Sequence, residues 1–358
     1  MKIAVFGAGS IGCFVGGAWQ AAGLDVSYVG REAIGAALRE HGLTLTDYSG
    51  WQARLGEVDF ACVPEPLGDA DIILLTVKSG ATRDAARAIA DHARNGALVI
   101  SFQNGVSNFD LLESELGGRF PLARGLVAFN VAYLGEGRFH KGVAGDLIAE
   151  DRPEVRALAE RVRRGPASLR PSSDMLGVAW GKLLINLNNA VNALSGRTLI
   201  EELRERDYRR VVAASQREAL RLFKRAGIRP AKVGAVGPRL LPRVIGAPDW
   251  LFTNIFMKRW KIDAKARSSM ADDLAAGRKT EIDFLNGELV RLAERLQADA
   301  PVNRAIVELV RKAEAGAGQR ESMGGPARNR HFPGGRPRLL CLDQARSHRS
   351  TSGLEPRA

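Results

Sequence analysis

The chain opens on a short apolar run, Ile3-Ala4-Val5-Phe6, followed at once by Gly7, Gly9 and Gly12 in the spacing G-x-G-x-x-G, and apolar residues resume at Cys13-Phe14-Val15. A buried strand, a tight glycine turn and a helix in that order leave few architectures open. The first glycine permits the turn, the second lets backbone approach a pyrophosphate, and the third lets the helix pack close to the strand. A helix N-terminus presents unpaired N–H groups and a positive dipole end, which favour an anion. Gly7, Ala8, Gly9, Ser10, Ile11 and Gly12 are therefore the candidate phosphate cradle of a dinucleotide.

Strand and helix patterns alternate through the first half. Asp25–Val29, Val58–Val63, Asp71–Val77 and Ala97–Ser101 read as strands and Ala81–Arg94 as a helix. That rhythm predicts an α/β, doubly wound, mostly parallel sheet of the Rossmann type. Residues 124–149 alternate around the turn Leu134-Gly135-Glu136-Gly137 and predict a strand pair that closes the sheet or forms its edge. Beyond Arg164-Gly165-Pro166 the periods become helical. The spacing predicts one long helix over Asp174–Leu194 with Ser173 as N-cap, then Asp207–Ala226, an irregular stretch over 230–249 with a helical piece at Pro238–Val244, Trp250–Ala276, a helix capped by Thr280 and running to Leu296, and Val302–Ala315. The expected organisation is a dinucleotide-binding domain over 1–170, an all-α domain over 171–316, and a disordered basic tail over 317–358.

Composition narrows the function. The 358 residues carry a formal charge of +12, of which the last forty supply +5. A basic body suits an anionic cofactor and substrate. No basic helix is interleaved with aromatics, so a small-molecule partner is expected and nucleic acid is not. No run approaches the ~18 apolar residues of a membrane span. Glycines break the first apolar run before a signal-peptide core forms, so neither membrane nor export is expected, and a cytoplasmic location is. Cys13, Cys62 and Cys341 are far apart, show no metal-ligand spacing, and fit a reducing compartment; Cys13 and Cys62 read as small apolar residues, and no metal is expected.

Strand ends supply further candidates. Enzymes using NAD place an acid about 20 residues past the glycines; here the position falls on Arg31, nineteen past Gly12, with Glu32 beside it. An Arg there pairs with a 2′-phosphate, which points to NADPH. Lys78 ends the Asp71–Val77 strand and Asn104 follows the next one. A Lys at the carboxyl end of a buried strand faces the ligand crevice of an open α/β sheet.

The second half carries Trp180-Gly181-Lys182-Leu183-Leu184-Ile185-Asn186, then Ser268-Ser269-Met270-Ala271-Asp272-Asp273, then Thr280-Glu281-Ile282-Asp283-Phe284-Leu285-Asn286-Gly287. This order, behind a glycine-rich start, resembles the ketopantoate reductase (2-dehydropantoate 2-reductase) family over about residues 1–315. The resemblance implies a 6-phosphogluconate dehydrogenase-like arrangement and NADPH-dependent reduction of 2-dehydropantoate to pantoate on the route to coenzyme A. It implies Lys182 and Glu281 as catalytic residues, Asn104, Asn186 and Ser269 on the substrate, and Lys78 and Asn104 near the cofactor. Glu281 is also expected to help hold Lys182, and Asp273 matches a family acid. The family has a second Asn eight residues after the Lys, where this chain has Ala190. On a continuous helix Asn189 lies about 20° from Lys182 around the axis, against about 80° for position 190, so Asn189 is the expected stand-in. Asn188 and Asn192 read as packing or capping neighbours. The alternatives are a reductase of another branched or hydroxylated 2-oxo acid, and a non-catalytic dinucleotide sensor. A homodimer is compatible with the helical half.

Overall fold

The computed structural model describes residues 1–257 and 266–321. Its first half is built on an eight-stranded sheet. Five strands alternate with the helical layers: β1 (Lys2–Phe6), β2 (Asp25–Val29), β5 (Asp59–Ala61), β6 (Ile72–Leu75) and β7 (Leu98–Ser101). The sheet continues through β8 (Leu122–Val127), β11 (Leu147–Glu150) and β12 (Leu169–Ser172). The strand order is β12-β11-β8-β7-β6-β1-β2-β5, and every pairing is parallel except β8 with β11. The chain leaves β1 for β2 on one side and later returns to β6 on the other. Order thus reverses at β1, and the crevice at that switch point is where open α/β sheets bind ligands. Ile72–Leu75 and Leu98–Ser101 are buried along their whole length, as both-face coverage requires. Helices α1 (Ser10–Ala21) and α5 (Pro153–Val162) cover one face. Helices α3 (Thr82–His92) and α4 (Ser107–Leu116) cover the other. Helix α2 (Glu32–His41) follows β2.

Residues 124–149 do more than close an edge. Strands β8 and β11 join the large sheet. Between them, β9 (Val131–Tyr133) and β10 (Arg138–Lys141) form a hairpin about the expected 134–137 turn. That hairpin enters a second sheet of order β4-β3-β10-β9 with β3 (Leu43–Asp47) and β4 (Gln52–Leu55). Strands β3 and β4 escaped the sequence reading. The buried Lys141 ties the second sheet down by donating to the carbonyls of Gly145 (2.7 Å) and Pro166 (2.6 Å).

The second half is helical: α6 (Met175–Asn186), α7 (Asn188–Ser195), α8 (Leu199–Arg204), α9 (Arg206–Arg225), α10 (Leu241–Ile245), α11 (Ser269–Ala275), α12 (Asn286–Arg295) and α13 (Pro301–Glu321). Several expectations need correction. The long 174–194 helix is two helices. Gln216 of α9 donates to the Leu184 carbonyl (3.2 Å), the acceptor that the Asn188 N–H would use in a continuous helix, and a side chain inserted into the ladder breaks it. Its N-cap is Asp174, which accepts from the Gly177 N–H (2.9 Å), rather than Ser173. The expected 250–276 helix is helical through residue 257, with a π turn over Phe252–Phe256, and resumes at Ser269; residues 258–265 lie outside the described residues. Thr280 caps no long helix. It accepts from Ile282 at the start of a 3₁₀ turn, Ile282–Phe284, and α12 begins only at Asn286. The last helix reaches Glu321, so residues 317–321 of the expected disordered tail are helical; the rest of that tail, with Cys341, lies outside the described residues. No helix among the described residues is long and apolar enough to cross a membrane.

Helix α6 joins the two halves. Met175 and Val178 pack with Leu126 of β8, Ile148 of β11 and Val233. On its other side Trp180 packs edge-on against Phe223 of α9, ring centroids 5.0 Å apart. The 231–234 segment crosses α6 at its glycines. Ala231 donates to the Gly177 carbonyl (2.7 Å), and a Cβ on Gly181 would stand 2.1 Å from the Ala231 carbonyl oxygen. In Trp180-Gly181-Lys182 the first residue thus anchors the core, the second admits the crossing chain, and the third stays half-buried.

Candidate active site

The glycine turn between β1 and α1 forms as the spacing predicts. Gly7 sits at φ +106°, and a Cβ there would meet the Val77 nitrogen at 2.5 Å. A Cβ on Gly12 would meet the Gly7 carbonyl at 2.7 Å and Thr76 Oγ1 at 2.8 Å. Gly9 differs: its nearest neighbour would be 3.9 Å away. Protein packing does not demand glycine at position 9, so the free space belongs to whatever approaches the turn. Gly7 and Ala8 donate to the Val29 carbonyl, and the first α1 amide with a backbone partner is Cys13, to Gly9 (2.9 Å). The amides of residues 10–12 remain as the open donors of the helix end, with no side-chain cap and no acid in the first turn. Such an end fits a pyrophosphate.

Arg31 ends the loop after β2, exposed and with no side-chain partner among the described residues. Its neighbour Glu32 is committed elsewhere. Cys62 donates its thiol to Glu32 (2.9 Å) and Arg39 pairs with it, and these contacts hold the carboxyl below the usual range. Glu32 thus stays a carboxylate, its charge offset by Arg39 rather than by Arg31. Cys62 is exposed and polar-bonded rather than a small core residue, whereas Cys13 is buried as expected.

The two halves meet over one carboxylate. Glu281 Oε1 accepts from the Ser79 N–H (3.0 Å) and Ser79 Oγ (2.6 Å), and Oε2 accepts from Asn104 Nδ2 (3.0 Å). Asn186 Nδ2 of α6 donates to Asn104 Oδ1 (3.4 Å). Candidates from the loop after β7, from α6 and from the 280–284 turn therefore form one chain of hydrogen bonds. Gly105, at φ +87°, allows this approach, since a Cβ would stand 2.9 Å from the Phe284 carbonyl. Behind the carboxylate, Asn108 Nδ2 donates to Ser79 Oγ (2.8 Å), Thr82 Oγ1 to Asn108 Oδ1 (3.2 Å), and Gln103 Nε2 to Thr82 Oγ1 (2.7 Å). Ser79, Thr82, Gln103 and Asn108 were not legible as site residues. The one available signal was that Ser79 directly follows Lys78 at a strand end.

Lys182 lies one turn before Asn186 on α6, half-buried, with no hydrogen-bond or ion-pair partner among the described residues. Desolvation lowers its pKa from 10.5 to about 8. The expected contact with Glu281 is not made; the protein partners of that carboxylate are Ser79 and Asn104. Lys78 pairs with the buried Asp273 of α11, which also holds Arg278 (2.9 Å). Lys78 thus spans the same junction rather than pointing freely at a ligand.

Ser269 is the exposed first residue of α11. Its neighbour Ser268 is the buried N-cap, accepting from Ala271 (3.1 Å) and donating to the Asn189 carbonyl (3.1 Å). Helix α6 gives way to α7 at Leu187, between Lys182 and Asn189. What ties Asn189 to the site is its carbonyl, and its half-buried side chain makes no hydrogen bond among the described residues. Ala190 is fully buried in the helical core. Asn188 and Asn192, expected as packing or capping neighbours, gather around a buried acid. Both donate to Oε2 of the buried Glu202 (3.3 and 3.1 Å), and Asn192 Oδ1 accepts from the Ser268 N–H (2.9 Å). Burial raises Glu202 to a pKa of about 8, opposed by these two donors. Glu202 Oε1 and Asn188 Oδ1 have no partner among the described residues.

Two family models match this chain: "Ketopantoate reductase PanE/ApbA" over residues 3–153 and "Ketopantoate reductase PanE/ApbA C terminal" over residues 174–314. A 2-dehydropantoate 2-reductase of Archaeoglobus fulgidus is 29% identical over 325 residues, covering 88% of this chain and 98% of the relative. One of Pyrococcus horikoshii is 28% identical over 324 residues, with the same coverage. A crystal structure of a PanE/ApbA family ketopantoate reductase from Ralstonia eutropha JMP134 superposes with a TM-score of 0.76 at 29% identity, covering 89% of this chain and all of the other. Both models fall in the expected order on the two halves that share the Glu281 junction, and together they span nearly all of the described chain. The chain belongs to the ketopantoate reductase (PanE/ApbA) family.

Proposed function

We propose that this chain is an NADPH-dependent reductase that converts 2-dehydropantoate to pantoate, a step toward pantothenate and coenzyme A. The observation that carries this reading is the chain of contacts Glu281–Asn104–Asn186, which brings a carboxylate and two amides together one helical turn from a desolvated lysine. The residue 7–12 turn and Arg31 would hold the dinucleotide, and the chemistry it would supply when bound is hydride donation to C2 of the oxo acid. As the C2–O2 π bond breaks, negative charge builds on O2, and a positioned acid must protonate it. Lys182 is that acid: it gives a proton to O2, becomes neutral, and regains a proton from water. Asn104 and Asn186 orient the oxo acid, and Ser269 bonds its carboxylate. Glu281 has two oxygens, with about four acceptor sites between them. Three are taken within the protein, which leaves room for one substrate hydroxyl.

Turnover is tested by NADPH oxidation at 340 nm with 2-dehydropantoate, with NADH in parallel. Fast turnover with NADPH alone is the expected result, and turnover with NADH alone overturns the cofactor assignment. Replacing Arg31 by Ala is expected to raise KM for NADPH by about 10-fold or more, the worth of a charge-assisted hydrogen bond. The KM for NADH should barely move. An equal rise for both cofactors removes the 2′-phosphate role.

The lysine also sets a pH dependence. Reduction needs the protonated amine, so kcat/KM for the oxo acid is expected to hold below about pH 8 and fall about tenfold per pH unit above it. Oxidation of pantoate needs the neutral amine and should rise through the same range. A flat reductive profile to pH 9.5 takes Lys182 out of the proton transfer.

A second reading, reduction of a different branched or hydroxylated 2-oxo acid, is favoured by Ala190. Its burial leaves the pocket without the family's second amide. A panel including pyruvate and 2-oxoisovalerate separates the two: equal kcat/KM for these and for 2-dehydropantoate selects the second reading.

A further inference from the structure

We propose that Ser79 is a positioning residue for this reductase: it grips the Glu281 carboxylate from the dinucleotide half and so fixes where that carboxylate meets the substrate. Ser79 is 2% exposed. It offers one carboxylate oxygen both its backbone N–H (3.0 Å) and its hydroxyl (2.6 Å), across 202 residues of chain. Two donors converging on one oxygen fix both the distance and the rotation of a carboxyl group, and bonds to an ionised acceptor are about twice as strong as neutral ones. The hydroxyl is aimed in turn. Its oxygen accepts from Asn108 Nδ2 (2.8 Å), and of its two acceptors Glu281 Oε1 at 2.6 Å is much nearer than the Asn104 carbonyl at 3.3 Å, so the Ser79 proton is directed at Glu281. With Oε1 held by Ser79 and Oε2 by Asn104, the carboxylate keeps one free acceptor direction, the one available to a hydroxyl on the substrate. Ser79 touches neither substrate nor cofactor in this scheme and acts through Glu281.

The inference rests on the reductase reading above, and its test is built to fail separately. Ser79→Ala removes the hydroxyl and keeps the N–H. It is expected to lower kcat/KM for the oxo acid about 10- to 100-fold, with KM for NADPH within twofold of wild type. In a Glu281→Gln background the same substitution is expected to cost less than about threefold, because residues that act through one another are not additive. A purely structural role lowers activity by the same factor in both backgrounds, and that result overturns the proposal, as does an unchanged kcat/KM in Ser79→Ala. The crystal structure of Ser79→Ala gives a measure independent of turnover. The Glu281 carboxylate should leave its present position, and a carboxylate that stays in place defeats the inference even if the wild type reduces no oxo acid tried. Wild type inactive on the whole panel, with the carboxylate displaced in the variant, defeats the reductase reading and leaves the grip standing.

Discussion

Lys182→Ala is expected to lower kcat for oxo-acid reduction by roughly 10²- to 10⁴-fold, the usual worth of a positioned proton donor, while NADPH binds with unchanged affinity. The proposed dinucleotide turn is shaped by Gly7, Gly9 and Gly12, whose contacts lie in the sheet half and do not involve α6. Truncation at 182 should also leave the fold intact. The lysine has no hydrogen-bond or ion-pair partner to orphan among the described residues, and the helix around it is fixed by Trp180, Leu183 and Leu184, which are buried. The alkaline fall in activity should vanish in the variant, since the group responsible is gone. Stopped-flow measurement of hydride transfer together with NADPH titration checks all three points. Activity within threefold of wild type removes Lys182 from the mechanism.

The second large effect concerns stability. Glu202→Gln is expected to stabilise the protein at pH 8 by roughly 2–4 kcal/mol, on the order of 5 °C in melting temperature, and to do so much less at pH 5. The folded chain keeps Glu202 protonated up to about pH 8, while an unfolded chain releases that proton near 4.5. The unfolded state therefore binds fewer protons across this interval, and wild-type stability falls as pH rises from about 4.5 to 8. A glutamine has no proton to lose. Its amide also brings donors to a cluster in which Asn188 Oδ1 lacks one. Thermal unfolding of both proteins at several pH values decides the matter: a stability gap that does not change between pH 5 and 8 shows that Glu202 is not the titrating group. Because Asn192 links Glu202 to Ser268, the residue before Ser269, the same substitution probes how rigidly α11 is seated.

The sheet half was legible because its signals are local. A glycine triplet after an apolar run, or four consecutive buried residues such as Ile72–Leu75, carry their meaning within a few positions. The β3–β4 and β9–β10 sheet was harder to read. Its strands are short, and β3 finds β10 across almost a hundred residues, a pairing no local pattern reports. Helix ends failed for a related reason. Nothing near Leu187 signals a break, because its cause is Gln216, supplied by another helix. The site divides in the same way. Lys182, Asn186, Asn104 and Glu281 were marked by motif and strand-end position, whereas Ser79 became visible only once folding had set it against Glu281. The expected Lys182–Glu281 contact is not made, and the partners that the carboxylate does have, Ser79 and Asn104, come from the other half of the chain, which no local pattern reports.

The backbone contact between Gly105 and the Phe284 carbonyl has a consequence for exchange between relatives. At that seam the sheet half offers a glycine with positive φ, and the helical half offers a carbonyl that tolerates no Cβ. Any other residue at 105 sets the halves apart by a fraction of an ångström, and the hydrogen bonds from Ser79 and Asn104 to Glu281 have little length to spare. The two halves are thus not interchangeable modules. Recombination that imported a new cofactor half would have to import its seam residues with it, so the halves of such a protein are bound to drift together.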